Sequence, residues 1–253
     1  MIFIEVGNSS AKAFKVLKSK YSEVFKAETG KYDNLRLQMN RISDDEIVVL
    51  SSVRQDVSDV ILESSDRLRI KRITQENLGA VLLDYKTPGT LGIDRVLACL
   101  GAVLHAGRKD VIVIDSGTAC TIDYMTGELE FKGGVILPGL PVQRLAMRSI
   151  LPELPEVEPV IPCSFPGRST KESIQWGVYG GYFQTIGVFI EKYRQQYSTA
   201  SIYTAGGDGQ LLSDVLKKQH GLEVIFRKEL VLDGMRAWVV MKRGDGERNF
   251  ETE

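Results

Sequence analysis

Short apolar runs alternate along this chain with segments in which apolar residues recur at helical spacing. The runs at residues 2–6 and 111–114 each precede a turn that contains glycine, and both predict buried strands. Apolar residues recur every three or four positions over residues 93–104 and 171–197, which predicts two helices. Strands that alternate with helices are typical of an α/β fold.

The remaining pattern adds shorter elements and one irregular stretch. Strands are predicted at residues 12–17, 47–50, 201–205 and 224–226, and helices from near Val57, Leu211 and Leu232. Most of the eight prolines lie between Pro138 and Pro166. Because proline removes a backbone donor, residues 151–167 are not expected to form one regular element. A surface loop is the favoured interpretation, and a pocket wall is the alternative.

Two segments of the chain resemble each other at a fixed offset of 110 positions. Residues 2–8 read Ile-Phe-Ile-Glu-Val-Gly-Asn, and residues 112–118 read Ile-Val-Ile-Asp-Ser-Gly-Thr. Both combine a buried strand, an acid, a glycine and a small polar residue. We therefore predict two similar α/β halves, residues 1–108 and 109–253, each with a carboxylate at the end of its first strand.

The charge balance argues against a nucleic-acid-binding protein. Lys and Arg total 32 and Asp and Glu total 33, so the formal net charge is −1, whereas nucleic-acid binders are usually basic. No apolar run approaches the ~18 residues that a membrane-spanning helix needs. The N-terminal segment has no basic region before an apolar stretch, so a signal peptide is not expected.

Side chains suited to zinc binding or to nucleophilic catalysis are scarce. The chain has three widely spaced cysteines (Cys99, Cys120 and Cys163) and two histidines (His105 and His220). This scarcity disfavours a zinc site and a Ser-His-Asp or Cys-His catalytic group. It also favours the reducing cytoplasm over a disulfide-forming compartment. The chemistry is therefore expected to use carboxylates, hydroxyls, backbone amides and a hard metal ion.

The first candidate site is the turn at residues 5–12, Glu-Val-Gly-Asn-Ser-Ser-Ala-Lys. A glycine turn between two strands exposes backbone N–H groups, the serines add hydroxyls and Lys12 adds a positive charge. This combination suits a polyphosphate. Glu5 is suited to hold a hydrated magnesium ion at the edge of the turn. An ordinary hairpin turn is the alternative.

Two further segments carry polar groups at the ends of predicted elements. Residues 115–121, Asp-Ser-Gly-Thr-Ala-Cys-Thr, repeat the logic of the first turn, with a plain β-turn as the alternative. If the halves face each other, the two turns would bind one phosphate chain from both sides.

Residues 92–95, Gly-Ile-Asp-Arg, lie at the start of the helix that ends near residue 104. Asp94 is then a helix cap, one half of a surface ion pair with Arg95, or a general base for a substrate hydroxyl.

Glycine pairs recur later in the chain. Gly133-Gly134, Pro138-Gly139 and Gly206-Gly207 each predict a turn, with the edge of a pocket as the alternative. The last pair does not complete a G-x-G-x-x-G pattern, because Leu212 stands where the final glycine would be. A dinucleotide-binding fold is therefore weakly supported.

Taken in order, these motifs resemble those of the type III pantothenate kinase family. The chain carries acid-x-Gly-Asn-Ser-x-x-Lys, Gly-x-Asp-Arg, Asp-x-Gly-Thr-Ala-x-Thr, Gly-Gly-x-Ile-x-Pro-Gly, Ser-Thr before a helix and a late Ala-Gly-Gly. The resemblance implies the actin-like ATPase and sugar-kinase fold, with two ribonuclease-H-like halves of mixed sheet and helix around a nucleotide cleft. It implies ATP-dependent phosphorylation of pantothenate to 4′-phosphopantothenate, the first step of coenzyme A biosynthesis.

The resemblance also implies roles for individual residues. Asp94 would accept the proton of the pantothenate hydroxyl, and Asp115 would hold a monovalent cation, potassium or ammonium. ATP would act with magnesium, and the long helix after Thr170 would serve a homodimer, with neither nucleic acid nor membrane as a partner. Contacts with ATP are implied for Glu5, Val6, Gly7, Asn8, Ser9, Ser10, Ala11, Lys12 and Thr118, and contacts with pantothenate for Tyr85, Gly92, Ile93, Asp94, Arg95 and Thr170.

The chain departs from the family pattern at three positions. Glu5 replaces the usual aspartate of the first turn, Ser116 replaces a phenylalanine and Cys120 replaces a threonine. Glu5 keeps the carboxylate but extends it by one methylene, which puts the metal position near the phosphates in doubt. Two alternatives therefore stay open: a kinase of another small hydroxyl substrate, and a catalytically impaired protein with a regulatory or binding role.

Overall fold

The computed structural model describes residues 1–17, 20–65 and 67–244. Their contacts form two compact units. The first unit contains Met1–His105, Leu129–Phe131 and the helix that begins at Leu230, and the second contains Ala106–Glu128 and Lys132–Glu229. The C-terminal helix thus packs in the first unit, whereas the predicted second half includes it. The division into ribonuclease-H-like halves at residue 108 stays a prediction.

The described part of the chain contains strands, α-helices and a few short turns of other helix types. In chain order the elements are β1 (Ile2–Val6), β2 (Ser10–Leu17), β3 (Lys20–Glu28), α1 (Tyr32–Met39), β4 (Ile47–Ser52), α2 (Gln55–Glu63), β5 (Arg69–Arg72), β6 (Leu82–Leu83), α3 (Ile93–His105), β7 (Val111–Ser116), β8 (Ala119–Met125), β9 (Glu130–Pro138), α4 (Leu140–Ile150), α5 (Thr170–Gln175), α6 (Gly181–Gln196), β10 (Ser201–Ala205), α7 (Gly209–His220), β11 (Val224–Phe226) and α8 (Leu230–Gly244). Among the described helices, none combines the length and the apolar character that a bilayer-spanning segment needs.

The first unit is built on a mixed sheet in the order β3-β2-β1-β4-β5. Strand β1 is antiparallel to β2 and parallel to β4. Ile4, Val48 and Leu50 are fully buried, and they pack with apolar residues of α1 and α2 in one core. Alternate residues of β1 point into this core, while Glu5, between two buried neighbours, points to the other face.

The second unit repeats this arrangement of strands. Its strands run in the order β11-β10-β7-β8-β9, with β7 antiparallel to β8 and parallel to β10. The short strand β6 pairs in parallel with the start of β9, at residues that pack in the first unit. Helices cover the faces of both sheets, so the predicted α/β class with mixed sheets is confirmed. In both units a hairpin joins the first two strands, which places the turns at residues 7–9 and 117–118 at equivalent positions.

The helix predicted over residues 171–197 is present and contains a five-residue π-helical turn, Trp176–Gly180, between α5 and α6. Tyr182, Ile186 and Ile190 on its apolar face are buried in the core of the second unit. The apolar periodicity of this helix is therefore explained by packing within one chain.

Helix α4 was not predicted from the sequence. Pro141 lies in its first turn, where a missing N–H costs no hydrogen bond, so proline density is a poor guide there. Only Leu140 of this helix is buried, and Leu145 and Ile150 are exposed. Residues 151–169 after it form no helix or strand, which confirms the prediction for residues 151–167.

Helices α3 and α8 pack at backbone distance in the first unit. A Cβ at Gly101 would overlap the carbonyl oxygen of Leu230 and would lie 3.0 Å from the backbone N of Gly234. A Cβ at Gly234 would overlap the carbonyl oxygen of Leu97. Each helix thus presents a glycine to the backbone of the other, and no side chain separates them.

We predict that Gly101→Ala lowers the free energy of unfolding of the first unit by about 2–3 kcal/mol, because the added methyl meets backbone atoms that cannot rotate away. Urea unfolding followed by fluorescence of Trp238, which lies on α8, measures this in a Trp176→Phe background. The control is Gly30→Ala in the same unit, where a Cβ meets no atom within 4 Å. It should change the free energy by less than about 0.5 kcal/mol. Equal effects of the two substitutions would contradict the close packing.

Candidate active site

The first candidate turn joins β1 to β2 and is tied to its own unit through its carbonyl groups. The N–H of Gly7 donates to the carbonyl oxygen of Ser10 at 3.0 Å, which closes the turn. The carbonyl oxygen of Asn8 accepts from Thr29 Oγ1 at 2.8 Å and from Arg54 at 3.2 Å. Asn8 and Ser9 are exposed, and Ser10 is partly buried. The turn is therefore anchored at its base and accessible at its tip.

Glu5 and Lys12 lie directly opposite each other on β1 and β2. Burial raises the pKa of Glu5, the positive charge of Lys12 lowers it, and the negative charge of Asp94 raises it further. Glu5 and Asp94 are therefore close enough for their charges to interact. The structure therefore brings the carboxylate of Asp94 near Glu5 and Lys12, two residues of one hairpin that lie far before it in the sequence.

Asp94 lies in the first turn of α3 and is partly buried. One carboxylate oxygen accepts the backbone N–H of Arg95 at 2.9 Å, so the side chain satisfies one N–H group of the first turn from inside the helix. Burial raises the pKa of Asp94, and the Arg95 N–H and the positive charge of Arg95 lower it. A Cβ at Gly92 would lie 2.6 Å from Asp94 Oδ1, so glycine there makes room for the carboxylate.

Arg95 is buried, which rules out the surface ion pair considered from the sequence. Its guanidinium carbon lies 6.0 Å from the ring centre of Tyr85 and 5.7 Å from that of Phe131. The rings are 6.1 Å apart and tilted by 58°. Two aromatic faces beside a buried cation stabilise it through cation–π contacts. The predicted residues Tyr85 and Arg95 therefore lie together.

The second candidate turn joins β7 to β8 in the second unit. Asp115 is the second-last residue of β7 and lies in parallel register with Ala205 of β10. The next residue, Gly206, has φ of +82°, and a Cβ there would overlap both Asp115 Oδ1 and the carbonyl oxygen of Ser116. The late Gly-Gly motif thus packs its backbone directly against Asp115 and Ser116 as the chain leaves β10.

The Gly-Gly-x-Ile-x-Pro-Gly motif packs against the same hairpin. A Cβ at Gly139 would overlap the carbonyl oxygen of Gly117, and the N–H of Gly139 donates to the carbonyl oxygen of Thr118 at 3.0 Å. A Cβ at Gly134 would overlap Asp123 Oδ1 on β8. These glycines allow backbone contact with the second turn, where Thr118 is exposed.

The two substitutions in this turn are accommodated together. Ser116 is fully buried, and its Oγ forms a 2.6 Å hydrogen bond with the Oη of Tyr182. Burial raises the pKa of Cys120 to about 12, so this residue stays a neutral thiol at physiological pH. The smaller serine therefore gains a polar partner from α6, and neither change removes a proposed ligand.

Three residues near these turns were not predicted as site residues. Phe131 contacts Arg95, Tyr182 contacts Ser116, and the N–H of Asp208 donates to the Ser116 carbonyl oxygen at 3.0 Å. Asp208 directly follows the late Gly-Gly pair, so its place in that motif could have marked it as a residue near the site. Phe131 and Tyr182 fit ordinary apolar patterns, so nothing in the sequence marked them as residues near the site.

The predicted site residues therefore form two groups, one in each unit. The first group is the turn at residues 5–12 with Tyr85 and residues 92–95, and the second is Asp115 with Thr118. Thr170 is exposed at the first position of α5, where Ser169 caps the helix by accepting the N–H of Glu172 at 3.2 Å.

The donor atoms decide which metal ions fit these groups. Among the described residues, no cluster of three or more His, Cys, Asp or Glu side chains could hold a metal ion. Glu5 and Asp115 each offer a carboxylate. Such oxygen donors fit hard cations, magnesium or a monovalent ion, and do not fit a closed zinc site.

A sequence model of the type III pantothenate kinases matches residues 1–192. The chain belongs to the type III pantothenate kinase family. A type III pantothenate kinase of Flavobacterium johnsoniae is 30% identical over 86% of this chain and 89% of its own length. Another, of Phocaeicola vulgatus, is 30% identical over 92% of this chain and 95% of its own length. Because the chain belongs to this family, it is a phosphotransferase that uses ATP with magnesium.

A solved structure extends the comparison to the whole fold. A ROK family glucokinase of Streptomyces griseus, in complex with glucose and AMPPNP, aligns with a TM-score of 0.54 at 13% identity. The alignment covers 93% of this chain and 97% of the glucokinase. This likeness shows the fold alone, and it confirms the predicted actin-like ATPase and sugar-kinase fold.

We predict that Gly206→Ala lowers the melting temperature of this kinase by several degrees. The alanine would adopt a left-handed φ, which costs about 1–2 kcal/mol, and its methyl would overlap Asp115 and Ser116. Gly207→Ala is the matched control, because a Cβ there meets no atom within 4 Å. Differential scanning calorimetry compares the two. A larger loss for Gly207→Ala than for Gly206→Ala would refute the assigned geometry.

Proposed function

We propose that this protein transfers the γ-phosphoryl group of ATP to the primary hydroxyl of pantothenate and forms 4′-phosphopantothenate, the first step of coenzyme A biosynthesis. The observation that carries the proposal is the family match over residues 1–192. The intact Gly92–Arg95 segment and its geometry support it. No observation favours the non-catalytic alternative or a different hydroxyl substrate.

Asp94 is the proposed general base. Its carboxylate is held by the N–H of Arg95 and has the room that Gly92 leaves. A raised pKa makes a carboxylate a stronger base for a hydroxyl proton, as long as the pH keeps it ionised. Asp94 would orient the hydroxyl and take its proton while the phosphoryl group is transferred.

Arg95, with Tyr85, Gly92 and Ile93, would bind pantothenate. The substrate carries a carboxylate, and a buried guanidinium is the side chain best suited to pair with a carboxylate. Thr170 is proposed as a further contact, following the family pattern. The hydroxyl to be phosphorylated would then lie near Asp94, one residue from Arg95.

The two turns are proposed to bind the polyphosphate of ATP. The turn over residues 5–12 offers its backbone N–H groups, the hydroxyls of Ser9 and Ser10 and the charge of Lys12. The second turn would contribute Thr118. Fixed dipoles and charges of this kind stabilise the charge that develops on a transferring phosphoryl group.

Glu5 and Asp115 are the proposed cation-holding residues. Glu5 would hold the hydrated magnesium of ATP, and Asp115 would hold a monovalent cation, potassium or ammonium. When bound, these ions supply positive charge that offsets the phosphate charge. Glu5, partly buried opposite Lys12, keeps a carboxylate at the position where the family has aspartate.

We also propose a cytoplasmic homodimer. The apolar face of α6 is used in the core of its own unit, so the surface for a second copy is assigned to α4 and the following segment. Leu145, Ile150 and Phe165 there are 65%, 75% and 78% exposed. Sedimentation at micromolar concentration tests this, and a monomer would contradict it.

We predict that Asp94→Asn lowers kcat by about 10²–10⁴-fold, because the amide cannot accept the hydroxyl proton. Pantothenate-dependent ADP release from ATP and magnesium measures this. Asp33→Asn is the control: its carboxylate is fully exposed on α1, and turnover should stay within about twofold. Full turnover in Asp94→Asn, with the fold intact, would remove the base assignment.

We predict that kcat/KM falls as the pH falls through the raised pKa of Asp94, since only the ionised carboxylate accepts a proton. A pH profile of kcat/KM from pH 4 to 9 is the measurement. A profile that stays flat on its acidic side, in protein that remains folded, would contradict the role of the Asp94 carboxylate.

A further inference from the structure

Phe131 was assigned no role by the sequence, yet it belongs to the cluster that holds Arg95. It is fully buried at the start of β9, in the short segment Leu129–Phe131 that packs in the first unit while the residues on both sides pack in the second. Its ring centre lies 5.7 Å from the guanidinium carbon of Arg95, closer than that of Tyr85.

One short β-ladder places both aromatic rings. The N–H of Leu82 donates to the carbonyl oxygen of Leu129 at 3.0 Å, and the N–H of Asp84 donates to that of Phe131 at 3.0 Å. Tyr85 follows Asp84 directly, so the hydrogen bond that fixes Phe131 also fixes the backbone next to Tyr85. The position of the two rings is therefore set by backbone pairing.

The rings of Tyr85 and Phe131 support a buried cation, the guanidinium of Arg95. Its backbone N–H is bound to Asp94, and its side chain leaves the first turn of α3 into a buried space. A guanidinium is planar and stacks on aromatic faces, so two tilted rings restrict its rotation. An aliphatic side chain at residue 131 would fill similar space without attracting the cation.

We infer that Phe131 is a positioning residue for the acceptor substrate, whose ring holds the guanidinium of Arg95 in the orientation that binds the substrate's carboxylate. This inference rests on the proposed function of Arg95 in pantothenate binding. Phe131 itself, fully buried, acts through Arg95.

The test combines three variants with two measurements. Phe131→Leu removes the aromatic face, Phe131→Tyr keeps it, and Phe25→Leu removes a buried ring of the same unit outside this cluster. Steady-state kinetics give KM for pantothenate, KM for ATP and kcat. Nuclear magnetic resonance of the Arg95 Nε–H group reports the ring currents around the guanidinium without any need for turnover.

We expect Phe131→Leu to raise KM for pantothenate about fivefold, the size of one cation–π contact, with KM for ATP unchanged. It should also shift the Arg95 Nε–H resonance. Phe131→Tyr should stay within about twofold of the wild type, and Phe25→Leu should leave the resonance in place. In an Arg95→Lys background, Phe131→Leu should have less effect than in the wild type, because the two residues act together.

Three results would overturn the inference: an unmoved Arg95 resonance in Phe131→Leu, an equal rise of both KM values, or additive effects in the Arg95→Lys background. Failure of the proposed function would look different. A wild-type protein without pantothenate-dependent ADP release would refute the proposed function, and the resonance of Arg95 would still decide whether Phe131 holds the guanidinium.

Discussion

The backbone contact between α3 and α8 is the constraint on which the positions of Asp94 and Arg95 depend. Asp94 and Arg95 lie in the first turn of α3, so their positions follow from the position of that helix. Gly101 and Gly234 let the two helices meet with no side chain between them, which leaves α3 little freedom to shift. At the other end of the contact, Asp233 accepts the Oη–H of Tyr21 at 2.7 Å and lies 2.7 Å from His105 Nε2.

Helix α3 places the carboxylate of Asp94 near that of Glu5 in a partly buried region. This arrangement destabilises the ionised carboxylates, but it suits the proposed reaction. Glu5 and Asp94 repel each other, and burial disfavours the ionised form of both. Lys12 and Arg95 offset part of this penalty from either side. A site with opposed carboxylates gains no stability from them, but it gains a strong base and an attraction for cations, which a phosphoryl-transfer enzyme requires.

Much of this could be predicted from the sequence, and the limits have physical reasons. The repeat at residues 2–8 and 112–118 predicted a buried strand and a turn with glycine in each segment, and the structure has both. Glycine pairs were predicted to form turns, which is wrong for Gly133-Gly134 because both residues lie within β9. The contacts of Gly206 with Asp115 and of Gly139 with Gly117 could not be predicted, since they depend on strand pairing far along the chain. Phe131 and Tyr182 look like ordinary core residues because nothing local distinguishes a ring that packs on a cation or a hydroxyl. Helix α4 was not predicted because it begins within the proline-rich stretch, although Pro141 in its first turn costs no hydrogen bond.

The proposed reaction is tested most directly by ADP release with ATP and magnesium, with and without pantothenate, in potassium and in sodium buffer. We expect release that depends on pantothenate and is faster in potassium, with the potassium effect lost in Asp115→Asn. Release without cation dependence would be consistent with the kinase activity and would contradict the role of Asp115. Folded protein that releases no ADP in either buffer would contradict the proposed reaction itself and would indicate that Glu5 is a disabling change.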